Sequence, residues 1–293
     1  MSAMHPSRRG VLAGAAASLC AGAAFAADAL SGIEARIGGR LGVAAVDLGS
    51  GRSLAHRVDE RFPMCSTFKA MAAAAVLKRV DAGAENLDRF LRYGPADLFS
   101  YAPVTKAHVG DGGMKLGNLC AAAVELSDNT AANLILASIG GPPGWTHFVR
   151  GVGDQVSRLD RNEPTLNTAI PGDPRDTTSP AATLADLRLV VLGDVLKPAS
   201  RERLQGWMIA GQTGAARLRA GLPPSWRVGD KTGTGDHATT NDIAVAWTST
   251  GPVLITCYVT GAEASSGPVR EAAIAEVARI VTQTFRPAEA RHG

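Results

Sequence analysis

The sequence predicts a mixed α/β (α+β) protein in which a run of helices is inserted between two parts of one sheet. Three observations carry that expectation. Near the start, the extended segments Leu41 to Leu48 and Arg52 to Val58 are joined by the turn Gly49-Ser50-Gly51 and read as a hairpin. The middle of the chain carries helical periodicity and loops. From Arg227 onward the pattern turns to strands and closes on a helix. Chain ends that both supply strands are most simply satisfied by one shared sheet, with the helical region inserted between them. The expected division is 28–60 plus 208–293 for the α/β part and 61–207 for the helical insertion.

Composition fits a globular domain. With 33 Gly, 16 Pro, 45% hydrophobic and 19% charged residues among 293, disordered, collagen-like and disulfide-stapled chains are excluded. Residues 1–27 read as an export signal. Arg8 and Arg9 precede an Ala/Gly-rich apolar segment, and Ala24-Phe25-Ala26 offers an A-x-A cleavage site near Ala26 or Ala27. The pair of arginines ahead of a weakly apolar core resembles a twin-arginine leader, with a Sec leader as the alternative. Cys20 as a lipoprotein anchor is disfavoured by the bulky Leu19 before it. Later apolar stretches are broken by charge, so no membrane span is expected after cleavage. Losing Arg8 and Arg9 takes the net charge from +3 to +1. No basic run points to nucleic acid.

Taken in order, Ile33 to Ile37 looks helical and precedes the hairpin. Ser66 to Asp81 follows, an Ala-rich helix closed by Gly83 and apolar or small on nearly every side, as a central buried helix should be. Helices are then expected over Leu116 to Leu126, Asn129 to Ile139, Pro143 to Val152 and Pro180 to Leu192, with Gly140-Gly141-Pro142-Pro143 as a breaker. Arg161 to Thr178 is polar, Pro-punctuated and without period, the pattern of a functional loop. The closing strands are Arg227 to Asp230, Asn241 to Ser249 and Pro252 to Thr260, before a last helix from Gly267 to Phe285.

Ser66-Thr67-Phe68-Lys69 puts a hydroxyl and an amine at i and i+3, on one helical face. A serine is a weak nucleophile until a base takes its proton, and an amine removed from water can have its pKa lowered enough to serve. By itself the pattern is also that of a capping serine and a solvated lysine. Ser127-Asp128-Asn129, Lys231-Thr232-Gly233-Thr234 and Glu163-Pro164-Thr165-Leu166-Asn167 change this reading, because the three short motifs in this order arise by chance on the order of one time in a thousand.

With those motifs the chain resembles the class A serine β-lactamases, along essentially its whole length after the leader. The resemblance implies an antiparallel five-stranded sheet flanked by helices, an inserted all-helical domain, and a cleft between them. It makes Ser66 the nucleophile that becomes the acyl-enzyme, with its own N–H and that of Thr234 as the oxyanion hole. Lys69 and Glu163 share the question of the acylation base, and Glu163 with Asn167 holds the hydrolytic water. Ser127, helped by Lys231, returns a proton to the ring nitrogen, and Asn129 binds the substrate's side-chain amide. Lys231, Thr232 and Thr234, with Gly233 between them, receive the substrate carboxylate. The strand after this motif reads Thr239-Thr240-Asn241-Asp242, similar to the cefotaxime- and carbapenem-hydrolysing branches, so the expected guanidinium comes from Arg217, or alternatively Arg270. Arg161 and Asp176 would pair to close the loop, and Tyr101 would wall the rim.

Two family disulfides lack a partner. Gly235 stands opposite Cys65, and Ala73 opposite Cys120, so Cys65, Cys120 and Cys257 are expected as free thiols. The six histidines show no ligand spacing, and neither metal nor cofactor is expected. The resemblance also implies a periplasmic monomer acting on small-molecule β-lactams. The rival functions are a penicillin-binding D-Ala-D-Ala peptidase, which releases β-lactams slowly and against which Glu163 and Asn167 argue, and a non-hydrolytic β-lactam sensor, which would be expected to lack one of the catalytic groups, all of which are present here.

Overall fold

A computed structural model describes residues 25–285. Arg8, Arg9 and Cys20 lie outside them. The first described helix, α1, covers residues 25–37 and so starts ahead of the expected cleavage point.

The sheet has five strands in the order β2-β1-β9-β8-β7. These are β1 (Arg40–Asp47), β2 (Ser53–His56), β7 (Arg227–Gly235), β8 (Thr239–Thr248) and β9 (Gly251–Thr260). Every pairing is antiparallel, with Val43 opposite Cys257, Ala44 opposite Thr256 and Asp242 opposite both Thr232 and Cys257. The two ends of the chain therefore meet in one sheet, since β1 from the N-terminal part lies between β2 and β9. Between them come α2 (Phe68–Asp81), α3 (Leu116–Glu125), α4 (Asn129–Ser138), α5 (Gly141–Gly151), α6 (Pro180–Val191), α7 (Pro198–Ile209) and α8 (Leu218–Gly221); α9 (Gly267–Phe285) closes the chain. Two-residue and three-residue ladders complete the fold: β3 (Phe62–Pro63) with β6 (Thr177–Thr178), and β4 (Phe90–Arg92) with β5 (Gly113–Lys115).

Strand alternation sorts the core onto two faces. Ile243, Val245, Leu254 and Tyr258 point into a cluster with α2, α3, α4, α6 and α7. Ala244, Ala246, Ile255 and Cys257 point the other way, against α1 and α9. As expected, α2 is central: every residue from Phe68 to Leu77 is buried, Lys69 included. Its start is pinned by Trp145, whose indole N–H donates to the Phe68 carbonyl at 3.1 Å.

Three details differ from the sequence expectation. Strand β7 runs past the expected Asp230 to Gly235, with Lys231-Thr232-Gly233-Thr234 ending the strand, because the backbone pairs with β8 as far as Gly235 opposite Thr239. Helix α5 begins at Gly141, inside the expected breaker, since prolines in the first turn lose no intrahelical bond. Helices α7 and α8 were not anticipated. The buried Ser200, Leu204, Trp207 and Met208 of α7 follow helical spacing after Pro198, which was the available signal.

Candidate active site

The nucleophile candidate sits where the chain changes direction. Cys65, Ser66 and Thr67 form a single 3-10 turn running into α2, and Cys65 adopts a left-handed φ of 45°. That conformation costs of order a kcal/mol for a residue with a Cβ, and a tightly packed site is what sustains it. Among the described residues Cys65, Cys120 and Cys257 are buried and unpaired.

One turn into the helix, Lys69 is wholly buried. Its ammonium donates to the Ser127 carbonyl at 2.8 Å and to Asn129 Oδ1 at 2.7 Å, and it lies 2.9 Å from Glu163 Oε1. Burial pushes the Lys69 pKa down, while the Glu163 carboxylate opposes that shift. The Ser66 hydroxyl donates to the same Oε1 at 3.0 Å. One carboxylate oxygen thus receives both the serine and the lysine.

Ser127 also has a left-handed φ, 59°, and is followed by Asp128, the N-cap of α4. The fully buried Asp128 accepts from the N–H groups of Val104, Thr105 and Ala131 and from the Thr105 hydroxyl, fixing the turn to its surroundings. The Ser127 hydroxyl lies between two ammonium groups, 3.3 Å from Lys69 Nζ and 3.1 Å from Lys231 Nζ. Lys231, itself buried, has its pKa lowered to about 7, first by burial and then by the positive charge of Lys69. Because both lysines donate, the serine's own proton is free to point into the cleft.

Glu163 is delivered by the long loop. Arg161 Nε donates to Asp176 Oδ2 at 2.6 Å, and Asp176 Oδ1 accepts the N–H groups of Asp160 and Arg161 at 2.7 and 2.9 Å. The expected ion pair therefore closes the loop's neck. Asn133, which sequence reasoning missed, holds the Glu163 backbone from α4: its Oδ1 accepts the Glu163 N–H at 3.0 Å, and its Nδ2 donates to the Glu163 carbonyl at 2.9 Å. The signal was one helical turn past Asn129. Asn167 Nδ2 donates to Glu163 Oε2, leaving Asn167 Oδ1 buried with no partner among the described residues.

Strand β7 forms the opposite wall. A Cβ on Gly233 would come within 2.7 Å of the Met64 carbonyl, and one on Gly235 within 2.6 Å of both the Asn167 carbonyl and Cys65 Sγ. Glycine at these points lets the strand lie against the Ser66 turn and the loop. Thr232 meets the hydroxyl of Thr213, another residue the sequence did not flag, at 2.6 Å. Arg217 reaches Thr234: its guanidinium donates to Thr234 Oγ1, and to the carbonyls of Gly233 and Asn241, at 2.8 to 2.9 Å. Arg270 instead donates to Thr240 Oγ1 at 2.9 Å. Tyr101 is 49% exposed, and its carbonyl accepts the Asn129 N–H at 3.0 Å, which ties its loop to the Ser127 turn. Among the described residues no group of three or more His, Cys, Asp or Glu is placed to hold a metal ion.

A serine, two buried lysines, a second serine and a loop carboxylate converging across a helical region and a sheet edge define a serine acyl-transfer hydrolase. Comparison with known proteins gives the family. The model of the beta-lactamase enzyme family matches residues 26–285. The chain is 48% identical over 254 residues to Beta-lactamase AST-1 of Nocardia asteroides, covering 86% of this chain and 81% of that one. It is also 48% identical to Beta-lactamase CTX-M-8 of Citrobacter amalonaticus, over 87% of this chain and 88% of the other. Among solved structures, an ancestral (GNCA) class A β-lactamase superposes with a TM-score of 0.87 at 58% identity, covering 89% of this chain and all of the other. A putative class A β-lactamase, PenP, from Rhodopseudomonas palustris gives 0.87 at 54%. The chain belongs to the β-lactamase enzyme family, in its class A.

Proposed function

We propose that this enzyme opens β-lactam rings, those of penicillins and cephalosporins, through an ester on Ser66. The observation that carries the reading is the position of Glu163 Oε1, 3.0 Å from Ser66 Oγ and 2.9 Å from Lys69 Nζ. The serine proton passes directly to this carboxylate as Oγ attacks the lactam carbonyl, while the Lys69 ammonium holds the negative charge in place. The N–H groups of Ser66 and Thr234 meet the developing oxyanion. Ser127 then gives its proton to the departing ring nitrogen and recovers one from Lys69, 3.3 Å away, which in turn takes the former serine proton from Glu163 Oε1 at 2.9 Å and so returns Glu163 to a carboxylate.

In the second half of the reaction Glu163 deprotonates a water that attacks the ester. The unpartnered Asn167 Oδ1 supports this role, since it offers an acceptor to that water beside Glu163 Oε2. Lys231, Thr232, Thr234 and Arg217 bind the substrate carboxylate, Asn129 its side-chain amide, and Tyr101 walls the mouth of the cleft. The outcome is antibiotic resistance.

The Arg8-Arg9 leader supports export to the periplasm with cleavage near Ala26 or Ala27, and action there as a monomer; no helix among the described residues is long and apolar enough to cross a membrane. Division into an α/β lobe (28–60 with 208–293) and a helical lobe (61–207) is supported by the joining of both chain ends in one sheet. A chromogenic cephalosporin tests the central reading: sustained turnover is expected, and a single stoichiometric burst would instead mark a slowly released peptidase adduct.

A further inference from the structure

Arg217 lies at the end of the irregular segment between α7 and α8, yet it must be placed to within a fraction of an ångström to meet Thr234. Its guanidinium bonds fix the tip of the side chain. What fixes its backbone is a buried acid on the neighbouring strand. Asp242 is fully buried on β8, and its Oδ2 accepts the N–H of Leu218, the residue immediately after Arg217, at 3.1 Å. The other oxygen, Oδ1, is buried with no partner among the described residues.

We propose that Asp242 is a positioning residue for substrate binding: by holding the Leu218 amide it sets the backbone from which Arg217 reaches the carboxylate site. This rests on the reading of Arg217 as a carboxylate-binding group.

What the geometry asks of Asp242 is an acceptor atom. Burial and the nearby Asp230 carboxylate push the Asp242 carboxyl well above the usual range, while the Arg217 guanidinium works against that shift. An amide of the same shape supplies the same acceptor. A valine of similar width supplies none and strands the Leu218 N–H in the core, where an unmade bond is costly.

Asp242→Asn, Asp242→Val, Arg217→Ala and the Asp242→Val/Arg217→Ala double variant test this. Asp242→Val should raise KM for a cephalosporin about ten-fold with kcat changed less than three-fold, and Asp242→Asn should stay within about three-fold of the parent in both. The double variant should bind no worse than Arg217→Ala alone, because both changes remove one contact. Hydrogen exchange at the Leu218 amide should accelerate at least ten-fold in Asp242→Val and remain slow in Asp242→Asn. A Leu218 amide still protected in Asp242→Val, losses that add in the double variant, or equal loss in the Asn and Val variants would each overturn the proposal. An unchanged KM in Arg217→Ala would overturn the reading of Arg217 itself, while the exchange measurement still judges whether Asp242 holds the segment.

Discussion

Two segments each bring one charged group to the cleft, and they are held in different ways. The loop from Arg161 to Asp176 carries Glu163 and is closed by its own ends: Arg161 and Asp176 pair with each other, and each also serves the loop's backbone or its Thr168. The segment from Gly211 to Leu222 carries Arg217 and is held from outside. Arg219 Nε donates to Asp230 on β7 at 2.6 Å, Leu218 donates to Asp242 on β8, and a side chain at Gly214 would meet Asp230 Oδ2 at 1.6 Å. The first segment thus has a neck of its own besides the Asn133 clamp from α4, whereas the second has no neck and takes its hold from β7 and β8.

Removing the charge that the first segment delivers should have the largest effect. Glu163→Gln is expected to slow both steps, deacylation by a factor of about 10² to 10⁴ in the range of general-base contributions, so that ester once formed persists as a mass adduct after mixing with a cephalosporin. Full turnover by this variant would contradict the role. Opening the neck comes next. Asp176→Ala leaves Arg161 without its partner at a nearly buried site and should destabilise the fold by about 3 kcal/mol. It should also slow both acylation and deacylation at least ten-fold in single-turnover kinetics, because Glu163 serves each step; unchanged rates in a folded variant would show that the neck does not position Glu163.

A third test compares the two walls by pH. Lys231, lowered to about 7 by burial and Lys69, is charged below that pH and neutral above it. A cation that greets a carboxylate is therefore lost as pH rises, and kcat/KM should fall up to ten-fold per unit on the alkaline side, from a limb starting near pH 7. Lys231→Arg, which keeps its charge, should move that limb upward; an unmoved limb would assign it to another group.

The smallest effect concerns an acid beside the loop neck that holds no loop. Asp186 on α6 is buried against Asp154, and burial with that neighbour's charge raises its pKa to about 9. A carboxyl raised on folding favours the protonated native state, so its stabilisation is complete at acid pH and is lost as pH climbs from the ordinary carboxylate range to about 9. Asp186→Asn should raise Tm by a few degrees at pH 8, with the gain shrinking toward pH 5; at this chain size 1 kcal/mol moves Tm by about 2–4 °C. A lower Tm at pH 8 would count against the protonated pair.

What could be foreseen follows the same division. Ser66 and Lys69 are three residues apart, and Glu163 and Asn167 share a short motif in a loop flanked by Arg161 and Asp176, so they could be found as local motifs, while their roles came from the resemblance to the class A serine β-lactamases. The arrangement around Arg217 joins it to Gly233, Thr234, Asn241 and Glu271, and its neighbours to Asp230 and Asp242, contacts that exist only once β7 and β8 are paired. Nothing in Ala216-Arg217-Leu218-Arg219 discloses them. Asn133 and α7 are a different case: helical spacing from Asn129, and Pro198 ahead of Leu204 and Met208, were present in the chain.

Asp176 serves two masters. Its side chain shuts the neck of the Glu163 loop, while its carbonyl accepts the N–H of Met64, two positions before the nucleophile, at 2.9 Å. A mutation that widens the entrance by loosening this residue also unsettles the approach to Ser66. Admitting bulkier drugs and keeping the alcohol well aimed are thus competing goods, and variants selected for the first are expected to need repair of the second elsewhere in the chain.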